Sequence, residues 1–479
     1  MAKAVAAHRE GNLSATEAIY RVFLNQFGPT PEVLNNLAGL RYLAGDWQDA
    51  VRFYRQTLEV GTDHPTVHAG MARSLAHLGR YIEAANAFDA ALALDPVDAS
   101  AWNDLGNARV AALDLKAGAT AYQMALRHKP DFARAFNNLG NTHRVMGDLD
   151  AALKAYDGAC GVTPDHHTDA GEFHTNRAHA LLLIGKWTKG FEDYEWRWRK
   201  PGVPAPVDPG SPRWQGEDLT GARILLVAEQ GFGDAILGLR FAQVLAERAD
   251  WVGFVGPAPL VRLAGKATGI TNAYAFGDLV PEHTVHCPIM SVPGLLKATP
   301  DAVPGSMPYI QQSGHAAKSG HAAKTGTVLR VGLTWAGNAA HVDDASRSFG
   351  FAALGPILNL NDVEFVSLQV GDAAAQADGD GRIRDGVVAV TDFLDTALVI
   401  ETLDLVIAAD SVVAHLCGAM NVPVWVPLPV VPDWRYGLDS DTSPFFPSMH
   451  LYRQIDRGDW TGSMTAIAND LAAWRDGAQ

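Results

Sequence analysis

Apolar and small positions recur through the first third of the chain with a period of 34 residues. Gly45, Gly79 and Gly147 share one register, Ala50, Ala84 and Ala152 a second, and Tyr54, Phe88, Tyr122 and Tyr156 a third. Ala91, Ala125 and Ala159 form a fourth, and Pro96, Pro130 and Pro164 close each unit. Within a unit the apolar positions follow helical spacing on both sides of the glycine, which predicts two helices joined by a tight turn. Small residues suit the place where the two helices cross, aromatics fill the gap between hairpins, and proline stops the second helix.

That register is the signature of the tetratricopeptide repeat, which these residues resemble. Its departures carry expectations of their own. Leu113 and Gly118 replace the expected glycine and alanine of the third unit, so its turn should be looser. Gly11 and Tyr20 extend the array back as a degenerate cap. Gly185, Gly190 and Tyr194 mark a fifth unit arriving four residues late, after a polar insertion around His166, His167 and Asp169. Residues 1–200 are therefore expected to form five to six stacked helical hairpins, an all-α superhelix.

Beyond residue 200 the periodicity changes. Five prolines within residues 201–212 (PGVPAPVDPGSP) forbid helix and mark a connector over 201–222. Short apolar runs of strand type then alternate with helical stretches: Arg223 to Glu229, Trp251 to Val255, and, later, Val328 to Trp335, Val363 to Gln369, Leu403 to Ala409 and Val422 to Pro427. Asp234 to Arg248 and Trp460 to Trp474 have helical periodicity. Strands alternating with helices imply parallel sheets with right-handed crossovers. The small-residue stretch SGHAAKSGHAAKTG, residues 313–326, reads as a tether, dividing the α/β part into a lobe over 223–312, a linker over 313–327 and a lobe over 328–479. Two doubly wound lobes bind ligands at the carboxyl ends of their strands.

Composition narrows the function. The 479 residues exceed what one core holds, so at least two domains are expected. A formal net charge of -15, with no long basic run, argues against nucleic acid or an anionic membrane as partner. Cys160, Cys287 and Cys417 are too scattered for a zinc or redox motif and suit a reducing compartment. With neither a signal-type segment nor a membrane-length apolar run, the expected location is the cytoplasm.

Candidate chemistry lies at three strand ends. Gln230-Gly231-Phe232-Gly233-Asp234 joins a strand to a helix whose N-terminus offers free N–H groups. Leu237 stands where the dinucleotide fingerprint has its last glycine, which argues against a nicotinamide or flavin site. Asp234 is placed as a general base. Asp410-Ser411 followed by His415 opens another helix directly after a strand. Trp335, Asn338, Arg347, Ser348 and Gln369 complete a set of donors suited to phosphate. Asp439-Ser440-Asp441 spells a manganese-type D-x-D, but three residues match too easily by chance, and no metal is assigned. In the repeats Asn35, Asn103 and Asn137 share one position and Asn107 and Asn141 another, a ladder of amides able to hold an extended peptide by its main chain.

The segments RILLVAEQGFGDAILGLRFAQVL and DLVIAADSVVAHLCGAMNVPVWVPL resemble heptosyltransferase-type (family 9) glycosyltransferases, which have the GT-B architecture of two Rossmann-like lobes. The order of repeats, the YEWRW segment (Tyr194 to Trp198) and such a domain is similar to bacterial repeat-fused protein glycosyltransferases, including flagellin glycosyltransferases. The resemblance implies a protein O-glycosyltransferase using a nucleotide-sugar as co-substrate and no other cofactor. It further implies Asp234 as the base acting on the acceptor hydroxyl, Asp410, Ser411 and His415 at the donor phosphate, and a protein acceptor, flagellin by resemblance, on the repeats. The chain lacks a clear lysine beside Asn338, a departure from the lipopolysaccharide enzymes. Two rival readings are a non-catalytic adaptor with a degenerate GT-B domain and a nucleotide-sugar epimerase.

Overall fold

The computed structural model describes residues 13–61, 63–204, 207–229, 231–311, 328–341 and 343–477. Gly11, Gln230 and the whole expected tether at 313–327 lie outside them. The chain divides into two compact units, Met1–Asn176 and Arg177–Gln479.

The first unit is all helical: Leu13–Phe27, then the pairs Pro31–Leu43 with Trp47–Glu59, Pro65–His77 with Tyr81–Leu94, Ala99–Ala111 with Leu115–His128, and Ala133–Met146 with Leu149–Val162. The glycine register sits in the left-handed region at every turn, with φ of 76° at Gly45, 72° at Gly79 and 84° at Gly147. Leu113 adopts the same conformation at φ 67°. Its turn also makes the same two backbone bonds, Leu113 N–H to the Val110 carbonyl and Asp114 N–H to the Arg109 carbonyl, both 2.9 Å. The third turn is thus no looser than the others, because the hydrogen-bond pattern fixes the conformation and the leucine bears the strain. Asp46, Asp114 and Asp148, one residue on, accept from backbone N–H groups in the first turn of the second helix, a cap that starts three of the four hairpins cleanly.

Glycines take the aromatic register. A methyl on Gly70 or Gly106 would stand 2.5 Å from the ring of Tyr54 or Tyr122, and one on Gly140 2.6 Å from Tyr156, so each ring lies directly on a bare backbone. Gly118 has the same logic, since a Cβ there would meet Val110 at 2.5 Å.

The second unit carries two parallel sheets. Strands β1 (Arg223–Val227), β2 (Trp251–Gly256), β3 (Asn272–Ala275) and β4 (Val285–Pro288) form the first in the order β3-β2-β1-β4. The second contains β5 (Leu329–Thr334), β6 (Val363–Ser367), β7 (Ile383–Asp385), β8 (Leu405–Ala408), β9 (Val424–Leu428) and β10 (Met449–Arg453), in the order β10-β9-β8-β5-β6-β7. Every paired strand is parallel. The second order is the doubly wound 3-2-1-4-5-6 arrangement, with its switch point between β5 and β8. In the first sheet the order reverses between β1 and β4. Buried apolar runs such as Leu225 and Val227, or Val331, Leu333, Leu405 and Ile407, explain why these segments are central strands.

The helix Trp187–Tyr194 and the 3-10 turn Glu195–Arg199 belong to this second unit, which begins at Arg177, whereas the sequence reading gave everything up to residue 200 to the repeats. Trp187 stacks on Phe445 (centroids 5.1 Å apart, planes 18°) and meets Trp434 edge-on, while Phe191 packs against Trp434 and lies over Gly294. The helix therefore joins the lobe of β1–β4 to the lobe of β5–β10. A buried arginine does the same from within. Arg240 donates to the carbonyls of Val303, Pro304 and Gly305 and to that of Phe445, satisfying its guanidinium without a carboxylate.

Candidate active site

The carboxyl ends of β1 and β8 bring two helices face to face. Gly231 starts the helix Phe232–Leu239, and Ser411 starts the helix Val412–Ala419. They pack so closely that a methyl at Gly233 would stand 2.6 Å from Nδ1 of His415. Gly233 is small because His415 packs against it. Asp234, in the first turn of its helix, is one-quarter exposed and pairs with Arg435.

Arg435 comes from the loop after β9, in the 3-10 turn Trp434–Tyr436. The turn is capped by Asp433, whose Oδ1 accepts from the Arg435 backbone N–H at 3.0 Å and from its Nη1 at 2.6 Å. The next residue, Tyr436, donates its hydroxyl to Asp410 at 2.6 Å and lies 3.3 Å from His415 Nε2. One short turn thus joins Asp234 on the first lobe to Asp410 and His415 on the second. Complete burial, reinforced by the Arg435 charge, pushes the His415 imidazole below its usual range, so the ring is neutral near pH 7. Burial pushes the Tyr436 phenol far up, with the adjacent Asp410 carboxylate adding to it. Three polar atoms here are buried without a hydrogen-bond partner among the described residues: Ser411 Oγ, His415 Nδ1 and Arg435 Nε. Buried orphans beside a helix N-terminus are what a phosphate oxygen would satisfy.

Other expected donor contacts turn out to be bracing. Trp335 is fully buried, and its indole N–H donates to the Ala373 carbonyl at 3.1 Å. Gln369 is 4% exposed, and its Oε1 accepts from the backbone N–H groups of Trp335 and Ala336, both at 3.0 Å. Neither side chain offers surface to a donor, which corrects the reading of both as ligand contacts. They hold the loop after β5 in shape. Ser348 is similarly engaged, accepting from Gly337 N–H and donating to Asp344, both 2.9 Å. Asn338 receives the Ala340 N–H on its side-chain oxygen at 3.0 Å. Arg347 lies across Gly337 at the β5 side of the switch point; its Nε is buried, has no hydrogen-bond partner among the described residues and stands 3.6 Å from the Asp344 carboxylate.

The first lobe's switch point is filled by protein. Arg197, from the YEWRW segment, donates to both oxygens of Glu229 at 2.7 and 2.9 Å and to Ser291 at 2.8 Å, and Glu229 also accepts from Met290 N–H at 2.9 Å. Both partners are under 10% exposed, so the pair fixes the β1 end just before Gly231.

The amides of the repeats are tied to one another. Asn103 and Asn137 are buried, at 7% and 3% exposure. Their oxygens accept from Asn138 at 3.1 Å and Asn176 at 2.9 Å, so each links its helix to the next unit. This corrects the expectation that both amides are open to hold a peptide. Asn107 is exposed and Asn141 half-buried, and their oxygens accept from Tyr122 at 2.7 Å and Tyr156 at 2.8 Å, anchoring the aromatic register. Asn35 lines a cavity of about 370 Å³ with Tyr20, Asn36, Tyr42, Tyr54 and Thr66.

Tetratricopeptide-repeat models match residues 41–113 and 103–167. Residues 41–167 are tetratricopeptide repeats. Over 512 aligned residues the chain is 26% identical to Protein FlbA of Caulobacter vibrioides, covering 98% of this chain and 83% of FlbA. Among solved structures it is similar to MamA, with 21% identity over 33% of this chain and 93% of MamA at a TM-score of 0.33. YrrB, described as a TPR protein with an unusual peptide-binding site, shows 19% identity over 34% of this chain and 84% of YrrB at a TM-score of 0.32. The type IV pilus biogenesis factor PilW shows 19% identity over 41% of this chain and 89% of PilW at a TM-score of 0.36. Among the described residues no helix is long and apolar enough to cross a membrane.

Arg435, Tyr436, Asp433 and the Arg197–Glu229 pair are the residues that sequence reasoning missed. The available signal was a pair of opposite charges, Asp433 and Arg435, among the prolines and aromatics of PLPVVPDWRY, which begins at a strand's carboxyl end.

Proposed function

We propose that this chain is a cytoplasmic protein O-glycosyltransferase of GT-B type, moving a sugar from a nucleotide donor to Ser or Thr hydroxyls of a protein recruited by the repeats. The observation that carries the reading is the convergence, at the carboxyl edges of two parallel sheets, of one carboxylate beside a helix start (Asp234) and a second helix start bearing buried unsatisfied groups (Ser411, His415). A base and a phosphate-receiving helix end on facing lobes are the two parts that metal-independent sugar transfer requires. Tetratricopeptide repeats support a protein as the acceptor.

In the proposed reaction the acceptor oxygen attacks the anomeric carbon as its proton passes to Asp234. The bond from that carbon to the phosphate oxygen breaks, and its electron pair leaves with the nucleotide. The N-terminus of Val412–Ala419, the Ser411 hydroxyl and the His415 ring receive the departing phosphate. One in-line displacement inverts the anomeric centre. Flagellin is the first acceptor to test, by resemblance alone.

Co-expression of this protein with a flagellin and a nucleotide-sugar pathway, followed by intact-mass spectrometry, tests the reading. A sugar-sized increment on Ser or Thr, absent with Asp234→Asn, is the expected result. An acceptor that co-purifies with the protein but never gains mass would favour the adaptor instead.

A further inference from the structure

We infer that Arg435 is a phosphate-binding residue that shifts between two partners: it pairs with Asp234 while the site is empty and turns to the phosphate of the nucleotide when the donor arrives. The inference rests on the glycosyltransferase reading and adds to it a residue and an order of binding.

The two carboxylates holding Arg435 are not equivalent. Asp433 lies two residues away in the same short turn and is bound by both the backbone N–H and the side chain of Arg435, at 3.0 and 2.6 Å. Asp234 belongs to the other lobe, 201 residues distant in sequence, and touches only the tip of the guanidinium. A rotation about the last side-chain bonds would release Asp234 while keeping Asp433. Arg435 Nε, buried and without a hydrogen-bond partner among the described residues, remains available as a further donor.

Charge gives the shift its direction. Asp234, Asp433 and Asp410 surround the turn, and the His415 ring is neutral. A phosphate entering beside Ser411 and His415 meets three carboxylates and one guanidinium. The neighbouring arginines are committed elsewhere, Arg197 to Glu229, Arg240 to four carbonyls, and Arg347, on the β5 side of the switch point, to Asp344 at 3.6 Å. Arg435 is therefore the cation placed to neutralise the phosphate, and its planar fork suits that task. While Arg435 donates to Asp234 Oδ1, that oxygen is occupied and not open to the acceptor hydroxyl. Transfer of Arg435 to the phosphate removes that restraint at the moment when the acceptor hydroxyl must lose its proton to Asp234. Donor then binds before acceptor.

Titration calorimetry of the full-length protein with UDP, GDP, ADP and CMP, on wild type, Asp234→Asn, Arg435→Lys and Arg435→Gln, tests the inference. Removing the Asp234 charge removes Arg435's competing partner, so Asp234→Asn should bind the preferred nucleotide at least threefold more tightly while transferring no sugar. Arg435→Gln should bind it at least tenfold more weakly, with Arg435→Lys in between. Unchanged or weaker binding by Asp234→Asn overturns the inference, as does wild-type affinity in Arg435→Gln. Should Arg435→Gln fail to fold, Asp234→Asn and Arg435→Lys decide alone. A wild type that glycosylates its acceptor yet shows these contrary affinities sinks only the role of Arg435. A wild type that binds none of the nucleotides and transfers nothing sinks the glycosyltransferase reading itself.

Discussion

The backbone of Gly233 lies directly against Nδ1 of His415, with no room for a single methyl group between them. The contact joins the first turn of one lobe's helix to the facing helix of the other, next to Asp234. Gly233→Ala should therefore separate the lobes locally, costing about 1–3 kcal/mol of stability. Urea denaturation would measure the loss, and transfer should fall more than stability does, because the Asp234 carboxylate moves with the helix.

Trp187 should behave as a core residue of the second unit. It is 2% exposed and stacked on Phe445, with its indole N–H donated to the Leu182 carbonyl at 3.0 Å. Trp187→Ala should destabilise that unit by about 3–5 kcal/mol through the cavity it leaves. Hydrogen exchange would locate the loss in residues from 177 onward, with the amides of the four preceding hairpins little changed.

Leu113→Gly should stabilise the repeats by about 1 kcal/mol. The leucine is 86% exposed, so it has little packing to lose, and its φ of 67° is one that glycine adopts without strain. A thermal midpoint below that of the wild type would show that the turn gains from the side chain after all.

A pH dependence follows from His415. Its imidazole is held below the ordinary value of 6.5 by burial and by Arg435, so the folded protein resists protonating it. The stability this ring supports is complete above the ordinary imidazole range and is lost as pH falls through the depressed folded value. Between pH 7.5 and 5.5 the wild type should lose more unfolding free energy than His415→Gln, by up to roughly 1.4 kcal/mol per pH unit. Equal losses in the two proteins, measured by urea titration at each pH, would assign the acid sensitivity to other groups.

The hairpins could be read from the chain because one physical unit repeats, and the glycine, alanine and aromatic registers each answer a contact that recurs. The same regularity misled at the asparagines. Asn138 bonds to Asn103 across 35 residues and Asn176 to Asn137 across 39, so the spacing records how each unit grips the next, as much as any surface for a ligand. The strands at Leu225, Val331 and Ile407 were legible as apolar runs. The short β7 (Ile383–Asp385), with two of its three residues exposed, has no such run to betray it. Arg435 was not legible, since its partner Asp234 is 201 residues away and the turn between Trp434 and Tyr436 has no period at all. Trp335 and Gln369 were misplaced because position at a strand's end does not say whether a side chain points to the cleft or back into the core.

The packing of Trp187 and Phe191 and the anchoring of Arg197 also fix where this protein can be cut and rejoined. A hybrid that grafts foreign repeats at the proline-rich stretch after residue 200 would discard the helix that Phe445 and Trp434 pack against, and with it the brace on Glu229. The interchangeable cassette ends before Arg177, and a donor chassis for new acceptor specificities has to carry its own Trp187-to-Arg199 segment along.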